Sequence, residues 1–440
     1  MTSLKRSLAG GLLAVLLLLF LFVVASSQNA HALPAFARKY GLRCSACHEA
    51  WPMLNYFGQR FKDNGYQLMN DRDSPIWQNN GYWPVTMRIT PFWHRESSDK
   101  VATDQSPTGQ QKVTADGFDV GGLDILSGGT LEKNISFLFV LSSDETALFH
   151  FESVNARLDN LFGSPWLNVK MGKFELDNIV SEKRALTLST NGGGFQIYHF
   201  IPVNDFNVFG QIGDNQFGLE WMGHSANDRT RVSAALLSSN DGNVDLQNSN
   251  SYSGFFAASQ AFDVGKLGTQ RVGVYAMIGQ SPTAFLTSGG QPIPGGGQAN
   301  KGFSREGFAG LFYLGKLDFQ VVTQHGSDNA AFTTVGTTTG TRSAVWNGAF
   351  VETHYVYSPQ LIFIQRSEWV RMSQQAIVGT PSNVGNIDNY VFGYRYMPFM
   401  NARAGFAWHN EYSWIRQRGG APDGTDLTSS SVLLGFDFDF

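Results

Sequence analysis

The chain has 440 residues, of which 15% are charged, 13% are aromatic and 48 are glycine. Ordinary soluble domains carry about 25% charged residues and about 7% glycine, so this chain is apolar and glycine-rich for a soluble enzyme. Its aromatic content excludes a disordered chain. Its net charge of −4 argues against a nucleic-acid-binding protein, which needs a basic face. The length allows two or three domains or one large β-barrel, and two cysteines cannot form a disulfide scaffold.

The first 32 residues have the pattern of a secretory signal peptide. Lys5 and Arg6 form a short basic region, an apolar run extends from Gly11 to Ala25, and Ala30-His31-Ala32 is a small-residue cleavage site. The alternative, an uncleaved membrane anchor, needs about 20 apolar residues, and this run is shorter. We therefore expect residues 1–32 to be removed and the mature chain to begin near Leu33.

One motif carries recognisable chemistry. Cys44-Ser45-Ala46-Cys47-His48 has the C-x-x-C-H spacing of c-type haem attachment, in which both thiols bind one porphyrin and the histidine binds its iron. A thioredoxin-like pair would need a βαβ context, and a structural zinc site would need a second cysteine pair. Chance is a poor explanation, because these are the only two cysteines and they follow a signal peptide. We expect one haem c, bound covalently by Cys44 and Cys47, with His48 as proximal iron ligand.

Residues 33–84 form the predicted haem segment. Helix signals indicate a helix from about Arg43 to Lys62, interrupted near Pro52 and ended by Asn64-Gly65. About fifty residues are too few for a self-sufficient core. We therefore expect the rest of the chain to shield the haem.

Residues 85–440 alternate with a period of two, which is typical of β-strands. In the last strand, Val432, Leu434, Phe436 and Phe438 alternate with Ser431, Gly435, Asp437 and Asp439. Residues 346–357 and 402–412 show the same pattern. Strands of about ten residues with one apolar face indicate a transmembrane antiparallel β-barrel, the all-β fold class that we predict. A soluble β-sandwich or solenoid also alternates, but it explains neither the signal peptide nor the lengths of the connections.

The connections alternate between short turns and long polar loops. Short turns are predicted at Gly315-Lys316, Ser358-Pro359 and Met400-Asn401, and long loops at 96–115, 176–194, 239–252, 281–302, 326–345, 372–387 and 413–430. This asymmetry is typical of outer-membrane barrels. The pattern gives 16–18 strands, because the hairpins near 135–157 and 195–224 are ambiguous. An even number places both ends of the barrel on the periplasmic side.

The N-terminal motif resembles the fused monohaem cytochrome–porins of the bacterial outer membrane, whose best-known members serve iron-oxidising bacteria. The resemblance covers residues 34–66 and depends on Pro34, Phe36, Ala37, Arg38, Tyr40, Gly41, the C-x-x-C-H motif, Pro52, Leu54, Asn55, Gly58, Phe61, Lys62, Gly65 and Tyr66. Beyond it the likeness is architectural, apart from the terminal Phe440, which resembles the aromatic end that outer-membrane assembly machinery recognises. It implies an outer-membrane protein with a haem at or inside the barrel mouth. The partners that it implies are outer-membrane lipid, an extracellular donor such as Fe(II) and a periplasmic carrier such as a soluble cytochrome c. No iron site in the barrel carries over.

The distal haem ligand remains open in the sequence. Met53 lies only five residues after His48 and can hardly reach the opposite face of the ring, whereas Met69 lies beyond the Gly65 turn and has the reach. Packing in a small core is the competing role for Met69. His94, His354 and His409 of the barrel are further candidates, or they line a polar lumen.

Three functions are compatible with these features. The first is an electron conduit that passes electrons between the extracellular donor and periplasmic carriers. If it oxidises Fe(II), it does so as an electron carrier rather than as a conventional enzyme. The second is a diffusion porin with a structural or regulatory haem plug, and the third is a haem enzyme. The third lacks a distal acid–base motif. For the first, we expect Arg395, Arg403, Glu352 and Glu411 to line a polar lumen that admits small ions.

Overall fold

The structure is a computed structural model that describes residues 35–50, 52–70, 73–78, 84–102, 109–143, 148–202, 211–238, 252–283, 299–329, 342–400 and 404–439. The predicted signal peptide at 1–32 and the terminal Phe440 lie outside these residues. No helix within the described ranges has the length and apolar character to cross a membrane.

The N-terminal part consists of short elements. Helices α1 and α2 span Ala35–Tyr40 and Cys44–Cys47, strands β1 and β2 span His48–Ala50 and Met53–Leu54, and helix α3 spans Tyr56–Asp63. A 3₁₀ turn at Ile76–Gln78 precedes the first long strand.

Sixteen antiparallel strands then close into a barrel, with β18 paired to β3. The strands are β3 Val85–Ala102, β4 Gln110–Glu132, β5 Ile135–Ser143, β6 Phe149–Leu158, β7 Asn168–Glu175, β8 Asn215–His224, β9 Thr230–Ser238, β10 Tyr252–Asp263, β11 Thr269–Thr283, β12 Ala299–Leu314, β13 Leu317–Asp328, β14 Ala344–Ser358, β15 Leu361–Gln374, β16 Ile387–Met400, β17 Gly405–Gln417 and β18 Leu427–Asp439. Short 3₁₀ turns lie at Leu161–Gly163, Glu182–Arg184 and Gly265–Leu267, and helix α4 spans Gln196–His199.

The predicted all-β barrel is confirmed, and the count is 16 rather than 18. The ambiguous hairpin near 135–157 exists as β5 and β6, whereas the region 195–224 contains one strand, β8. The described remainder of that region, 195–202 and 211–214, belongs to the connection between β7 and β8 and leaves the barrel wall.

The strands have one inward and one outward face. In β18, Ser431, Leu433 and Asp437 are buried, while Leu434 between them is 43% exposed. Tyr412 of β17 and Phe392 of β16 likewise point outward and are about half-exposed. A closed barrel with an apolar outer face satisfies every ladder hydrogen bond internally and presents hydrocarbon-compatible side chains to lipid. The protein is therefore an outer-membrane β-barrel.

The turns distinguish the two ends of the barrel. Residues 315–316 and 359–360 connect strands through two residues each, and Gly315 has the left-handed φ of +67° that such a tight turn favours. At the opposite end, the connections 284–298 and 418–426 are longer, although several strands extend further into the predicted loops than the sequence indicates. The short-turn end, which also holds both ends of the barrel, is the periplasmic end.

Residues 176–202 and 211–214 of the connection between β7 and β8, here called the inserted segment, fold into the lumen. The predicted polar loop at 176–194 is therefore only the first part of a largely internal structure. Its buried apolar side chains pack against inward residues of the barrel wall, namely Leu176, Val180, Phe195, Ile197, Tyr198, Phe200 and Ile212 against Tyr275, Phe303, Trp346, Phe350 and Val370. The backbone N–H of Ile197 donates to Glu368 at 2.7 Å, and Gln324 donates to the carbonyl of Ile197 at 2.8 Å. These contacts fill much of the lumen with protein.

Candidate haem site

The helix predicted from Arg43 to Lys62 is wrong in its middle. The chain is helical over Cys44–Cys47, then forms a small antiparallel pair in which His48 faces Leu54, and becomes helical again at Tyr56. Pro52 lies in the turn between these strands, where it cannot donate a helical hydrogen bond. The effect of Pro52 is thus a hairpin rather than a kink.

Asn55 and Gly58 hold helix α3 against the cysteine motif. The side chain of Asn55 accepts a hydrogen bond from Gly58 N–H at 2.9 Å as an N-cap, and its amide donates to the carbonyl of Ala46 at 3.0 Å. The backbone N–H of Asn55 donates to the carbonyl of Cys47 at 2.9 Å. A Cβ atom added to Gly58 would overlap that carbonyl, so only glycine allows this approach. The position of α3 therefore determines that of the motif.

Four aromatic side chains form the core of the N-terminal part. The rings of Phe36 and Tyr66 stack with centroids 4.8 Å apart, and Phe61 packs edge-on against Phe36 and Tyr40. The hydroxyl of Tyr40 donates to the carbonyl of Tyr66 at 3.0 Å. Gly65 has a φ of +70°, and a Cβ there would overlap the carboxylate of Asp159 in the barrel. This core is small and closes only against the barrel wall.

Two buried arginines of the barrel anchor the end of α3. Arg157 donates to the carbonyls of Lys62 and Asp63 at 2.8 and 3.0 Å, where the free carbonyls of a helix attract a cation. Arg231 forms ion pairs with the carboxylates of Asp63 and Asp177, each at 2.9 Å. The N-terminal part is therefore held inside the ring of strands.

The imidazole of His48 is oriented as a metal ligand requires. Its Nδ1 lies 3.1 Å from the carbonyl oxygen of Pro52, and a carbonyl can only accept, so Nδ1 carries the proton and Nε2 is the unprotonated nitrogen. Burial lowers the pKa of His48 to about 4, although hydrogen bonds to the backbone oppose this shift. The neutral imidazole, which is the form that binds a metal, therefore predominates at neutral pH.

The cysteines are unsuited to thiol–disulfide chemistry. They are not bonded to each other, and burial raises the pKa of Cys44 to about 12 and that of Cys47 to about 11. Disulfide oxidoreductases depend on a cysteine whose pKa is lowered. The environment of the pair therefore argues against the thioredoxin-like alternative.

A cavity of about 590 Å³ lies beside His48. Its wall combines the N-terminal part, the inserted segment and the periplasmic turns: Ser45, His48, Met53, Tyr56, Ile179, Val180, Arg184, Arg231, Leu267, Gly268, Arg271, Leu311, Tyr313 and Pro359 are among its residues. This volume is within the range of about 300–1,000 Å³ for small-molecule and cofactor sites. The turn residues Leu267 and Pro359 place the cavity at the periplasmic mouth.

The chemistry of this cavity fits a haem. Its apolar residues suit a porphyrin. The three lining arginines are bonded to protein groups: Arg184 to Glu175 at 2.6 Å, Arg231 to Asp63 and Asp177 at 2.9 Å each, and Arg271 to the carbonyl of Asp228 at 2.6 Å. Cys44 and Cys47 belong to the same helical turn as Ser45, which lines the cavity, although neither cysteine is itself a lining residue.

The structure does not bring Met69 to this cavity. Met69 is 55% exposed, and its sulphur lies 3.9 Å from the side-chain amide of Asn160. Met53 does line the cavity, and its sulphur accepts from Gln320 at 3.2 Å. Met69 as distal ligand stays a prediction that would require this part of the chain to move.

The barrel histidines also lie away from the cavity. His354 is buried and bonded to Glu352 at 2.8 Å, His409 is fully buried, and His94 lies between Glu96 and Asp119 at 3.7 and 3.9 Å. Within the part of the chain that the structure describes, no three His, Cys, Asp or Glu side chains are arranged to hold a metal ion.

The expectation of a hydrated lumen is wrong where it depends on Glu352, Arg395 and Glu411. All three face inward, but they are between 1% and 4% exposed. Glu411 accepts from the backbone N–H groups of Leu188 and Ser189 at 2.6 and 2.8 Å, and Arg395 donates to the carbonyl of Leu186 at 2.6 Å. Glu411 and Arg395 hold the inserted segment in place, whereas Glu352 is bonded to His354. Arg403 lies outside the described residues.

A second, more charged cavity of about 180 Å³ lies on the side of β3–β8. Arg88, Asp124, Glu152, Lys170 and Glu175 line it, together with Lys62, Lys183 and Arg184. Arg184 lines both cavities. A polar space therefore reaches the inner wall of the candidate haem site.

Sequence reasoning did not find the anchoring residues Arg157 and Arg231. A weak signal exists, because both occupy inward positions of barrel strands, where a buried cation needs a partner. The partner itself, Asp63, is 168 residues from Arg231 and cannot be read from local pattern.

Comparisons with known proteins match the fold. No protein-family model matches the chain, and no curated protein matches it significantly. Among solved structures, an anion-selective porin from Comamonas acidovorans is similar with a TM-score of 0.51 and 10% identity, covering 81% of this chain and 99% of that one. The outer membrane channel DcaP of Acinetobacter baumannii has a TM-score of 0.50 and 8% identity, covering 80% and 97%. The chain thus has the 16-stranded barrel fold of the outer-membrane porins.

Proposed function

We propose that this protein is an outer-membrane electron conduit with one haem c at the periplasmic mouth of a plugged barrel. A single observation carries the proposal: His48, whose Nδ1 is bonded to the carbonyl oxygen of Pro52, borders a cofactor-sized cavity that the barrel completes. We divide the chain into a signal peptide at 1–32, a haem segment at 33–84 and a barrel at 85–440. Strand β3 begins at Val85, next to the last boundary.

Residues of this chain have separate roles in the proposal. Cys44 and Cys47 bind the haem covalently, and His48 is the proximal iron ligand. Arg184 and Arg231 hold the wall of the cavity through their ion pairs with Glu175, Asp63 and Asp177. A haem bound here would supply a reversible one-electron couple. The apolar part of the lining, such as Val180, Leu267 and Leu311, would favour the less charged state of such a centre.

The filled lumen favours a conduit over a diffusion porin. The inserted segment and the haem segment occupy the interior, and inward charged residues such as Arg395 and Glu411 bond to backbone rather than to water. Bulk solutes would need a continuous aqueous path through this interior. The porin alternative is supported by the likeness in fold and would require these segments to leave the lumen.

The proposed reaction is a one-electron transfer at each side. An extracellular donor, for which we propose Fe(II), is oxidised to Fe(III), and one electron reduces a periplasmic carrier such as a soluble cytochrome c. The charged cavity beside Lys62 and Arg184 is the polar approach to the haem site from the lumen. The inward direction is favoured by the resemblance of the N-terminal motif to iron-oxidising cytochrome–porins.

Liposomes with oriented protein test this proposal. An acceptor is trapped on the periplasmic side, Fe(II) is added on the long-loop side, and haem absorbance and acceptor reduction are followed by stopped flow. We expect haem reduction followed by acceptor reduction, and neither in the Cys44→Ala/Cys47→Ala variant.

Ionic conductance of the same liposomes is the control. If the wild-type protein and the double variant showed equally large conductance and the wild-type haem remained oxidised, the diffusion porin would be the better account of the function. Low conductance with fast acceptor reduction would support the conduit.

A further inference from the structure

The periplasmic mouth has a charge opposite to that of the chain. Exposed charged side chains in the described part of this end comprise six basic residues, Arg43, Arg60, Lys133, Arg229, Lys266 and Lys316, against two acidic residues, Glu132 and Asp263. The whole chain has a net charge of −4. The exposed residues of this end therefore carry a net positive charge, although the chain as a whole is negative.

Most of this positive charge is not neutralised locally. Arg229 pairs with Asp263, but Arg43, Arg60 and Lys266 have no carboxylate within ion-pair distance among the described residues. Exposed charges without partners contribute little to stability. They do create a field that attracts an oppositely charged molecule over the distance of about one Debye length, ~10 Å at 0.1 M salt.

Two exposed aromatic side chains lie among these charges. Tyr56 and Phe57, in the first turn of α3, are 47% and 40% exposed. Arg60 follows one helical turn later, so it projects on the same side of α3 as Tyr56. The hydroxyl of Tyr56 donates to the carbonyl of Asn227 at 2.6 Å, which connects α3 to the turn that carries Arg229. Tyr56 and Leu267 both line the cavity beside His48.

We propose that Arg43, Arg60, Arg229 and Lys266 around Tyr56 and Phe57, here called the basic patch, are the docking surface for a soluble redox protein with an acidic face. An aromatic centre with a charged rim is the usual anatomy of a transient interface. Docking here would place the partner over the mouth of the cavity that His48 borders. The inference rests on the proposed function and names the charge and position of the periplasmic partner.

Anionic lipid is the other molecule that a basic surface attracts. Arg43 and Arg60 belong to the haem segment, which Arg157 and Arg231 hold inside the ring of strands. The barrel wall therefore separates them from the surrounding lipid. This placement favours a soluble partner over membrane headgroups.

The test measures binding of an acidic plastocyanin, as a soluble redox probe, to the protein in nanodiscs of neutral lipid. The variant Arg43→Glu/Arg60→Glu should weaken binding roughly tenfold or more at low ionic strength, mainly through the association rate, and the difference should vanish at high salt. Arg43→Gln/Arg60→Gln should have an intermediate effect. Lys133→Glu is the matched control, because it is an exposed basic residue of a periplasmic turn that does not line the cavity.

The same measurement on Cys44→Ala/Cys47→Ala separates this inference from the proposed function, because docking does not require bound haem. Unchanged binding in the patch variants, or an equal loss in Lys133→Glu, would overturn the docking surface. Loss of retention on anionic vesicles without loss of plastocyanin binding would assign the patch to lipid instead. Docking without electron transfer would leave the surface in place and refute the conduit.

Discussion

Replacing Arg231 by methionine should release the haem segment from the barrel without unfolding the barrel. Arg231 is 7% exposed, and its guanidinium is bonded to Asp63 of α3 and to Asp177 of the inserted segment at 2.9 Å each. The substitution keeps much of the side-chain volume but leaves these carboxylates buried without their cation.

Breaking a buried pair by removing one partner costs about 3–5 kcal/mol. At about 1.4 kcal/mol per tenfold change, the equilibrium between the docked and the released haem segment should shift by roughly two to three and a half orders of magnitude. The cost falls on the contact between segment and wall, because β9, which carries Arg231, keeps its ladder bonds to β8 and β10.

Hydrogen exchange of the protein in detergent micelles measures this release. Amides of α3 should lose protection in Arg231→Met, while amides of β9 keep it. Asp63→Asn added to Arg231→Met should restore part of the protection, since it removes one uncompensated charge. Arg229→Met is the matched control: it lies on the neighbouring turn and pairs with Asp263, but both side chains are about half-exposed. Full protection of α3 in Arg231→Met would refute the anchoring of the segment by this ion pair.

Further predictions concern the same region and the topology. Gly58→Ala should destabilise the haem segment by about 1–3 kcal/mol through overpacking against Cys47, and it should lower the yield of covalent haem on a stained gel. Gly117→Ala is the control, because Gly117 has open space around it. Equal haem yields in the two variants would contradict the packing. Asn55→Ala should lower the melting temperature of the haem segment through loss of its cap, about 0.5–2 kcal/mol, and an unchanged melting curve would contradict this role. Burial, reinforced by the charge of Asp63, raises the pKa of Asp228 from 3.8 to about 7. Between about pH 4 and pH 7 the folded state therefore holds a proton that the unfolded state has released. The stability of the folded state declines as the pH rises through this range. Asp228→Asn should flatten this pH dependence of α3 protection, and a persistent slope would assign it to another group. Tags in 284–298 or 418–426 should be labelled on intact cells and tags at 315–316 should not, while the reverse result would invert the barrel.

The barrel was predictable because its signal is local and repeated. Outward-facing Leu434 lies between inward-facing Leu433 and Gly435, and outward-facing Tyr412 follows inward-facing Glu411. This alternation arises because successive side chains of a strand point to opposite faces and one face of the barrel contacts lipid. Short turns such as 315–316 mark the strand ends equally well. The strand count stayed open between 16 and 18, and the inserted segment accounts for the ambiguity at 195–224.

The inserted segment was not predictable from composition. Its Gly192-Gly193-Gly194 run and its serines and threonines resemble an exposed loop, and its apolar residues follow no regular period. Its burial depends on bonds such as those from Leu188 to Glu411, which join residues more than 200 positions apart. Such tertiary contacts override local propensity.

The chemistry of the candidate site was partly predictable. The spacing of Cys44, Cys47 and His48 is local, and so is the hydrogen bond from His48 to Pro52 four residues later. The cavity is not local, because residues from three separate parts of the chain build it. For the same reason, reach along the chain was a poor guide to a distal ligand, and Met69 lies elsewhere.

Covalent haem on Cys44 and Cys47 is the central claim, and its most direct test is the intact mass of the purified protein together with a haem stain after denaturing electrophoresis. The wild-type protein should carry the mass of one haem and stain, and Cys44→Ala/Cys47→Ala should do neither while still migrating as a folded, heat-modifiable barrel. A wild-type protein without added mass, or a double variant that still stains, would contradict the claim.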